Sequence, residues 1–357
     1  MSKSNRLEKL RASMAEGDLD AMLVTQPENR RYLSGFTGSA GALVITPDQA
    51  ILATDFRYYE QVGRQAPEFE LAKLQTKLAD LLPGLLQDLG VARLGFESQH
   101  VTVDQHQELT AVTAGVEWLA TKEMVERLRA VKEENEVEAL RRSVALTDAA
   151  FAHLLDVIRP GRTETQVAWE IEAYMRAHGA SKVAFDLIVA AGPNGALPHA
   201  RPGDHVIQEG EPIVVDIGNV LDGYCSDMTR TFSLGQPEAH YLEVWQIVLR
   251  AQEATEAAIQ AGVTGVEADA QARRIIEQAG YGEQFGHGLG HGVGLAIHEK
   301  PRASRLSDDV LEAGMSLTIE PGIYLPGQFG VRLEDLVIIR PEGVEVLTQS
   351  PKSPVLL

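Results

Sequence analysis

Residues 211–234, EPIVVDIGNVLDGYCSDMTRTFSL, set the fold of the carboxyl-terminal part of this chain. Glu211 to Val220 is a mostly apolar run that reads as a buried strand, and Asp222-Gly223 is a strong two-residue hairpin turn before a second strand. With that turn, Gly218 pairs with Asp227. Asp216 then falls on the same face, diagonally across at roughly 7–8 Å between backbones. Two carboxylates on one apolar patch repel each other and lose hydration unless cations lie between them. The bland alternative is an exposed sheet with both acids in water.

Three further stretches argue against that alternative. In GMSLTIEPG (314–322), Met315, Leu317 and Ile319 alternate with Ser316, Thr318 and Glu320, so Glu320 ends a strand on its polar face before Pro321-Gly322 stops it. In GVRLEDLVII (330–339), Arg332 and Glu334 share one strand face, while Val331, Leu333 and Asp335 share the other. Asp335 is therefore an alternative to Glu334 as a ligand. Between hairpin and strands lies FGHGLGHGVGLAIHE (285–299), which carries three of the ten histidines, His287, His291 and His298. Its glycines let backbone approach a crowded site. The stretch lacks the Gly-Lys-Ser/Thr ending of a P-loop, and Arg302 stands where an HExxH zincin beginning at His298 needs its second histidine. Four carboxylates and an imidazole, with no thiolate, suit hard to borderline divalent ions.

In order, DIG, then DMTRT with its Asp eleven residues after the first, GHGVGLAIHE, TIEPGIY and GVRLEDL resemble the pita-bread metallopeptidases, which include methionine aminopeptidase, prolidase and aminopeptidase P. The resemblance covers about residues 125–357. It implies that Asp216 chelates one of two metal ions, that Asp227 and Glu334 bridge both, and that His291 and Glu320 complete the second. Two ions about 3.5–4 Å apart bring the pKa of a shared water from about 15.7 toward about 7, so a bridging hydroxide is the expected nucleophile. Manganese is the expected metal, with cobalt or zinc as alternatives.

Glu320 is assigned as proton shuttle. By resemblance, His298, seven residues after the ligand histidine, stabilises the tetrahedral intermediate. His199 in GPNGALPHARPG, seventeen residues before Asp216, matches the proline-directed members, and His287 matches a site position of aminopeptidase P. Arg332 is expected to orient metal-binding carboxylates from behind. Tyr324 reads equally as a pocket residue or a buried structural tyrosine, and the remaining histidines have no such context.

The 357 residues exceed one core, so two domains are expected: an α/β domain over 1–124 with a mixed sheet, and an α+β pita-bread domain over 125–357 with a curved antiparallel sheet. In the first, AMLVT, GALVIT, ILATD, ELAKL and RLGFE read as strands and NRRYLSGF as a turn. From Glu123 a single charged helix runs to the break at Pro160-Gly161. A domain of this size resembles those of prolidases and aminopeptidases P. NRRYLSGFTGSAGALVIT with TDFRYYEQ looks like the small bacterial aminopeptidase P.

The leading expectation is therefore release of an N-terminal residue ahead of proline, with Xaa-Pro dipeptidase as the alternative and a metal-free interaction module as a remote one. Proline-containing peptides are the expected partners, and resemblance implies a homodimer. A net charge of -19 disfavours nucleic acid and offers no polybasic footing on a membrane. Cys225, the sole cysteine, permits no intrachain disulfide. No apolar run approaches the roughly 20 residues of a bilayer span, and cytoplasmic residence is the expectation.

Overall fold

The computed structural model describes residues 3–356. The chain divides into two compact units, one ending at Arg129 and the other starting at Ala130. In the first, a six-stranded sheet runs in the order Glu70–Leu74, Ala50–Asp55, Ala42–Ile45, Ala21–Val24, Arg93–Glu97, Glu117–Thr121. Ala21–Val24 pairs antiparallel with Ala42–Ile45 and parallel with Arg93–Glu97, so the sheet is mixed, as expected. The central strands AMLV and ALVI are buried at every residue, whereas the edge strands carry exposed positions. That difference follows from burial on both faces in the middle of a sheet covered by helices.

Two local expectations are corrected. NRRYLSGF is mostly helix, Pro27–Ser34, opened by proline in its first turn and closed by Gly35 at φ 78°. The long helix from Glu123 is two, Met124–Ala130 and Glu134–Val157, because Val131 leaves the helix to bridge Met315. Helix propensity says nothing about such a tertiary partner. A sixth strand, Glu117–Thr121, carries no strong pattern and was not expected.

The second unit has the pita-bread arrangement: two halves, each a helix pair against antiparallel strands. Glu134–Val157 packs on Glu164–Ala177, and Ala239–Ala258 packs on Gly265–Gln278. Glu164–Ala177 and Gly265–Gln278 each open with a capping box, Thr163 with Gln166 and Thr264 with Glu267. Each half has its own apolar cluster, one around Phe151, Ile171, Val215 and Phe232, the other around Trp245, Phe285, Leu317 and Val331.

The hairpin has the register read from sequence. Val220 opposes Cys225 and Leu221 opposes Tyr224, and the same register continues at Ile217 with Met228 and Asp216 with Thr229. Asp222 and Gly223 have φ of 50° and 84°, positive at both central residues as a type I′ turn requires. Pro212–Ile217 also pairs with Ile188–Ala191, which places Asp216 in the middle of a sheet.

Candidate metal centre

The expected residues meet at one cavity of about 570 Å³, lined by Asp216, Asp227, His291, Glu320 and Glu334 together with His199, His287, His298 and Arg332. The sequence predicts one continuous strand through Arg332 and Glu334, but it breaks at Leu333-Glu334 into Phe329–Arg332 and Asp335–Ile339, which pair in different sheets, so Glu334 enters the cavity from the break. Single oxygens of Asp216, Asp227 and Glu334 lie within 4.8 Å of one another, all three residues being buried. His291 approaches from the strand Gly290–Gly292, its Nε2 3.6 Å from Asp227 and 3.4 Å from Glu320. That strand can lie against its neighbour only because Gly290 has no side chain; a Cβ there would be 1.9 Å from the carbonyl oxygen of Thr318.

The imidazole is oriented for ligation. Nδ1 of His291 lies 3.1 Å from the carbonyl oxygen of Gly292, to which it donates, so Nε2 is left bare and faces two carboxylates. Burial lowers its affinity for a proton. Glu334 and Asp335 separate cleanly: Glu334 accepts from Thr229 Oγ1 at 2.7 Å in the cavity wall, while Asp335 pairs with Arg230 at 2.7 Å and with Lys352. Asp335 is not in the cavity lining.

Electrostatically the centre is frustrated. Burial pushes all four carboxyls above the usual range, and at Asp227 and Glu334 the neighbouring carboxylates add to it. Asp216 Oδ2 accepts from Arg332 at 2.6 Å, yet its Oδ1 is buried without a hydrogen-bond partner among the described residues. An orphaned buried oxygen, mutually repelling acids and one bare imidazole nitrogen make a donor set that fits divalent cations.

The remaining residues divide by whether they are free to meet a substrate. Arg332 spends its guanidinium on Asp216, Thr229 at 3.0 Å, Tyr324 at 2.7 Å and the Pro198 carbonyl at 3.2 Å. His287 has Nδ1 2.8 Å from the Gly288 carbonyl and Nε2 3.0 Å from the Tyr324 hydroxyl. Because Arg332 can only donate to that hydroxyl, the hydroxyl proton is available to Nε2 of His287. Tyr324 is thus a buried connector behind the cavity.

His298 and His199 are exposed to the cavity. The rings of His298 and His291 lie 4.4 Å apart, edge to face. Despite its accessibility, His298 is pushed down to about 4, first by its enclosure in the cavity wall and then by His291, Arg302 and His199.

Three participants had not been singled out from sequence. Thr229 links Arg332 to Glu334, and Thr318 accepts from the His291 amide at 3.0 Å while donating to Glu320 at 3.1 Å. Each stands two residues from a carboxylate of the cavity, so strand alternation was a usable signal. Arg302 also lines the cavity; it is exposed, and its guanidinium makes no hydrogen bond or ion pair among the described residues. Nothing in its spacing marked it.

Fold and cavity define a two-unit protein with a buried, cation-demanding acidic centre in its second unit. Residues 138–341 match metallopeptidase family M24 and residues 6–131 match the creatinase/prolidase N-terminal domain. The chain belongs to the M24 metallopeptidases. It is 42% identical to the solved Xaa-Pro dipeptidase from Bacillus anthracis, covering 100% of both chains at a TM-score of 0.97. The X-Pro aminopeptidase from Thermotoga maritima is 37% identical, with 98% of this chain and 100% of that chain covered at a TM-score of 0.90. The Xaa-Pro dipeptidase of Pyrococcus furiosus is 36% identical over 97% of this chain and 98% of its own length.

Proposed function

We propose that this chain hydrolyses the bond before proline in Xaa-Pro dipeptides. The observation that carries the dipeptide reading is Arg302, whose guanidinium has no ion-pair partner among the described residues and stands in the wall of the cavity that holds the acidic centre. A dipeptide places its terminal carboxylate one residue beyond the scissile bond, where a planar cationic fork can bind it with two charge-assisted hydrogen bonds. A longer peptide presents a neutral amide there. The dipeptidases of Bacillus anthracis and Pyrococcus furiosus support the same choice. Release of a single residue from longer peptides, the first expectation from sequence, is the second reading, and the Thermotoga maritima enzyme favours it.

In this reading Asp216, Asp227, His291, Glu320 and Glu334 hold two divalent ions, manganese foremost, with cobalt or zinc as alternatives. When bound, such ions supply a water ionised near neutral pH and a Lewis acid for the scissile carbonyl. Glu320, whose carboxyl is raised by burial, moves the proton to the leaving nitrogen of proline. His298 and His199, open to the cavity, donate hydrogen bonds to the oxygen of the carbonyl under attack. Arg332 holds Asp216, and His287 braces Tyr324 against Arg332; both are positioning residues, because their nitrogens are already engaged. Proline has no amide hydrogen and a fixed φ, so the cavity must accept a rigid ring without a donor. The deciding experiment supplies Gly-Pro and Gly-Pro-Pro to manganese-loaded protein. Cleavage of the dipeptide alone is expected, and equal cleavage of both would return the reading to an aminopeptidase.

A further inference from the structure

Behind His298 lies an ion pair that the chemistry above does not use. Lys132 Nζ is 3.0 Å from Glu299 Oε2, and their side chains are 1% and 5% accessible. Ion pairs so fully buried add little to stability compared with an apolar pair of the same volume, because two charges must be stripped of water. Its value is therefore sought in what it holds.

Glu299 directly follows His298 in the chain, and its carboxylate is an organising point for the loop that carries that histidine. Oε1 of Glu299 accepts from the Ala296 amide at 2.9 Å. Gly294 lies against the same carboxylate; a Cβ there would be 2.6 Å from Oε2. The Gly294 amide donates to the Ala296 carbonyl at 3.0 Å, and the Gly294 carbonyl accepts from Cys225 in the metal-site hairpin at 2.7 Å. The Glu299 carboxylate thus anchors the loop before His298 at Gly294 and Ala296. Lys132 itself is fastened from the other side, its amide donating to Gly314 at 2.9 Å next to the bridge between Val131 and Met315, at the start of the strand that leads to Glu320.

We infer that Lys132 and Glu299 are positioning residues for His298: the buried pair fixes the loop so that the imidazole faces the reacting carbonyl. The inference rests on the reading of His298 as a group that acts on substrate. Without the pair, the loop loses the acceptor that holds the Ala296 amide, and His298, for which no hydrogen-bond partner occurs among the described residues, samples other orientations.

Removing one member strands a buried charge, so the test uses the double variant Lys132→Met with Glu299→Met, alongside His298→Ala and the triple combination. All are loaded with manganese, checked for metal content and melting, and assayed on Gly-Pro. The pair variant is expected to stay folded and metal-loaded, to lose at least tenfold in kcat with KM within about threefold of wild type, and to cost nothing further in the His298→Ala background. In chelated protein, amide hydrogen exchange of the segment containing Ala296 is expected to speed up at least tenfold. A pair variant with unchanged kcat, or with a loss that adds in full to that of His298→Ala, overturns the positioning role. If instead His298→Ala itself turns over normally, it is the reading of His298 that fails, and the inference falls with it.

Discussion

Asp227→Asn should stabilise this protein without metal and disable it with metal. Asp227 is buried beside Asp216 and Glu334, with single oxygens within 4.8 Å. Two full charges at that separation repel by about 3.5 kcal/mol or more at an effective dielectric of about 20. Protons retained on the raised carboxyls relieve part of this, so replacing the isosteric acid by an amide should add about 1–3 kcal/mol to the chelated protein. For a unit of this size that is a rise of about 3–10 °C in Tm. Manganese at about 100 times its Kd adds about 2.7 kcal/mol to a protein that binds it, and should do so for the parent but not for the variant. Melts followed by circular dichroism, in EDTA and in manganese, with turnover of Gly-Pro measured in parallel, should therefore cross: variant above parent in EDTA, parent above variant in manganese, and turnover only in the parent. A variant that melts below the parent in EDTA, or gains as much from manganese, would refute the electrostatic reasoning.

Other expectations follow from the same structure. Arg302→Met should raise KM for Gly-Pro about 10- to 100-fold, equivalent to about 1.5–3 kcal/mol of charge-assisted bonding, while leaving Gly-Pro-amide little affected; equal effects on both would remove Arg302 from carboxylate recognition. Glu334→Gln should abolish turnover with the circular dichroism spectrum retained. Burial, followed by the charge of Asp335, pushes the Glu256 carboxyl up to about 7 against the pull of Lys352. The folded state then holds a proton that the unfolded chain has released above the ordinary glutamate range near 4.5, so stability contributed here is present at low pH and is lost as pH rises to about 7. Glu256→Gln should flatten that part of the stability profile, and denaturant titrations between pH 5 and 8 would show whether it does.

Much of this site was legible because hairpins and strands impose arithmetic on sequence. A two-residue turn at Asp222-Gly223 leaves one register for the hairpin, and the structure has it. Alternation predicts Arg332 and Glu334 on one face of a single strand; the strand breaks at Leu333-Glu334, and both side chains still reach Thr229. The choice between Glu334 and Asp335 was not available from alternation, since each face of that strand meets a charged neighbour; Arg230 and Lys352 take Asp335 through contacts distant in sequence. The break at Val131 and the cavity position of Arg302 are of the same kind. Tertiary partners made them, and no local pattern announced them. The expectation of an aminopeptidase rests on the first unit, whose turns and strands describe a domain that resembles those of both prolidases and aminopeptidases P. No helix among the described residues is long and apolar enough to cross a membrane.

The central claim is that five side chains, two on strands and three at strand ends, hold a pair of divalent ions on which turnover depends. Its most direct test is anomalous diffraction from crystals grown with manganese. The account predicts two peaks among Asp216, Asp227, His291, Glu320 and Glu334, and the loss of at least one of them in Glu334→Gln crystals. Manganese absent from these side chains in crystals of turnover-competent protein would contradict it.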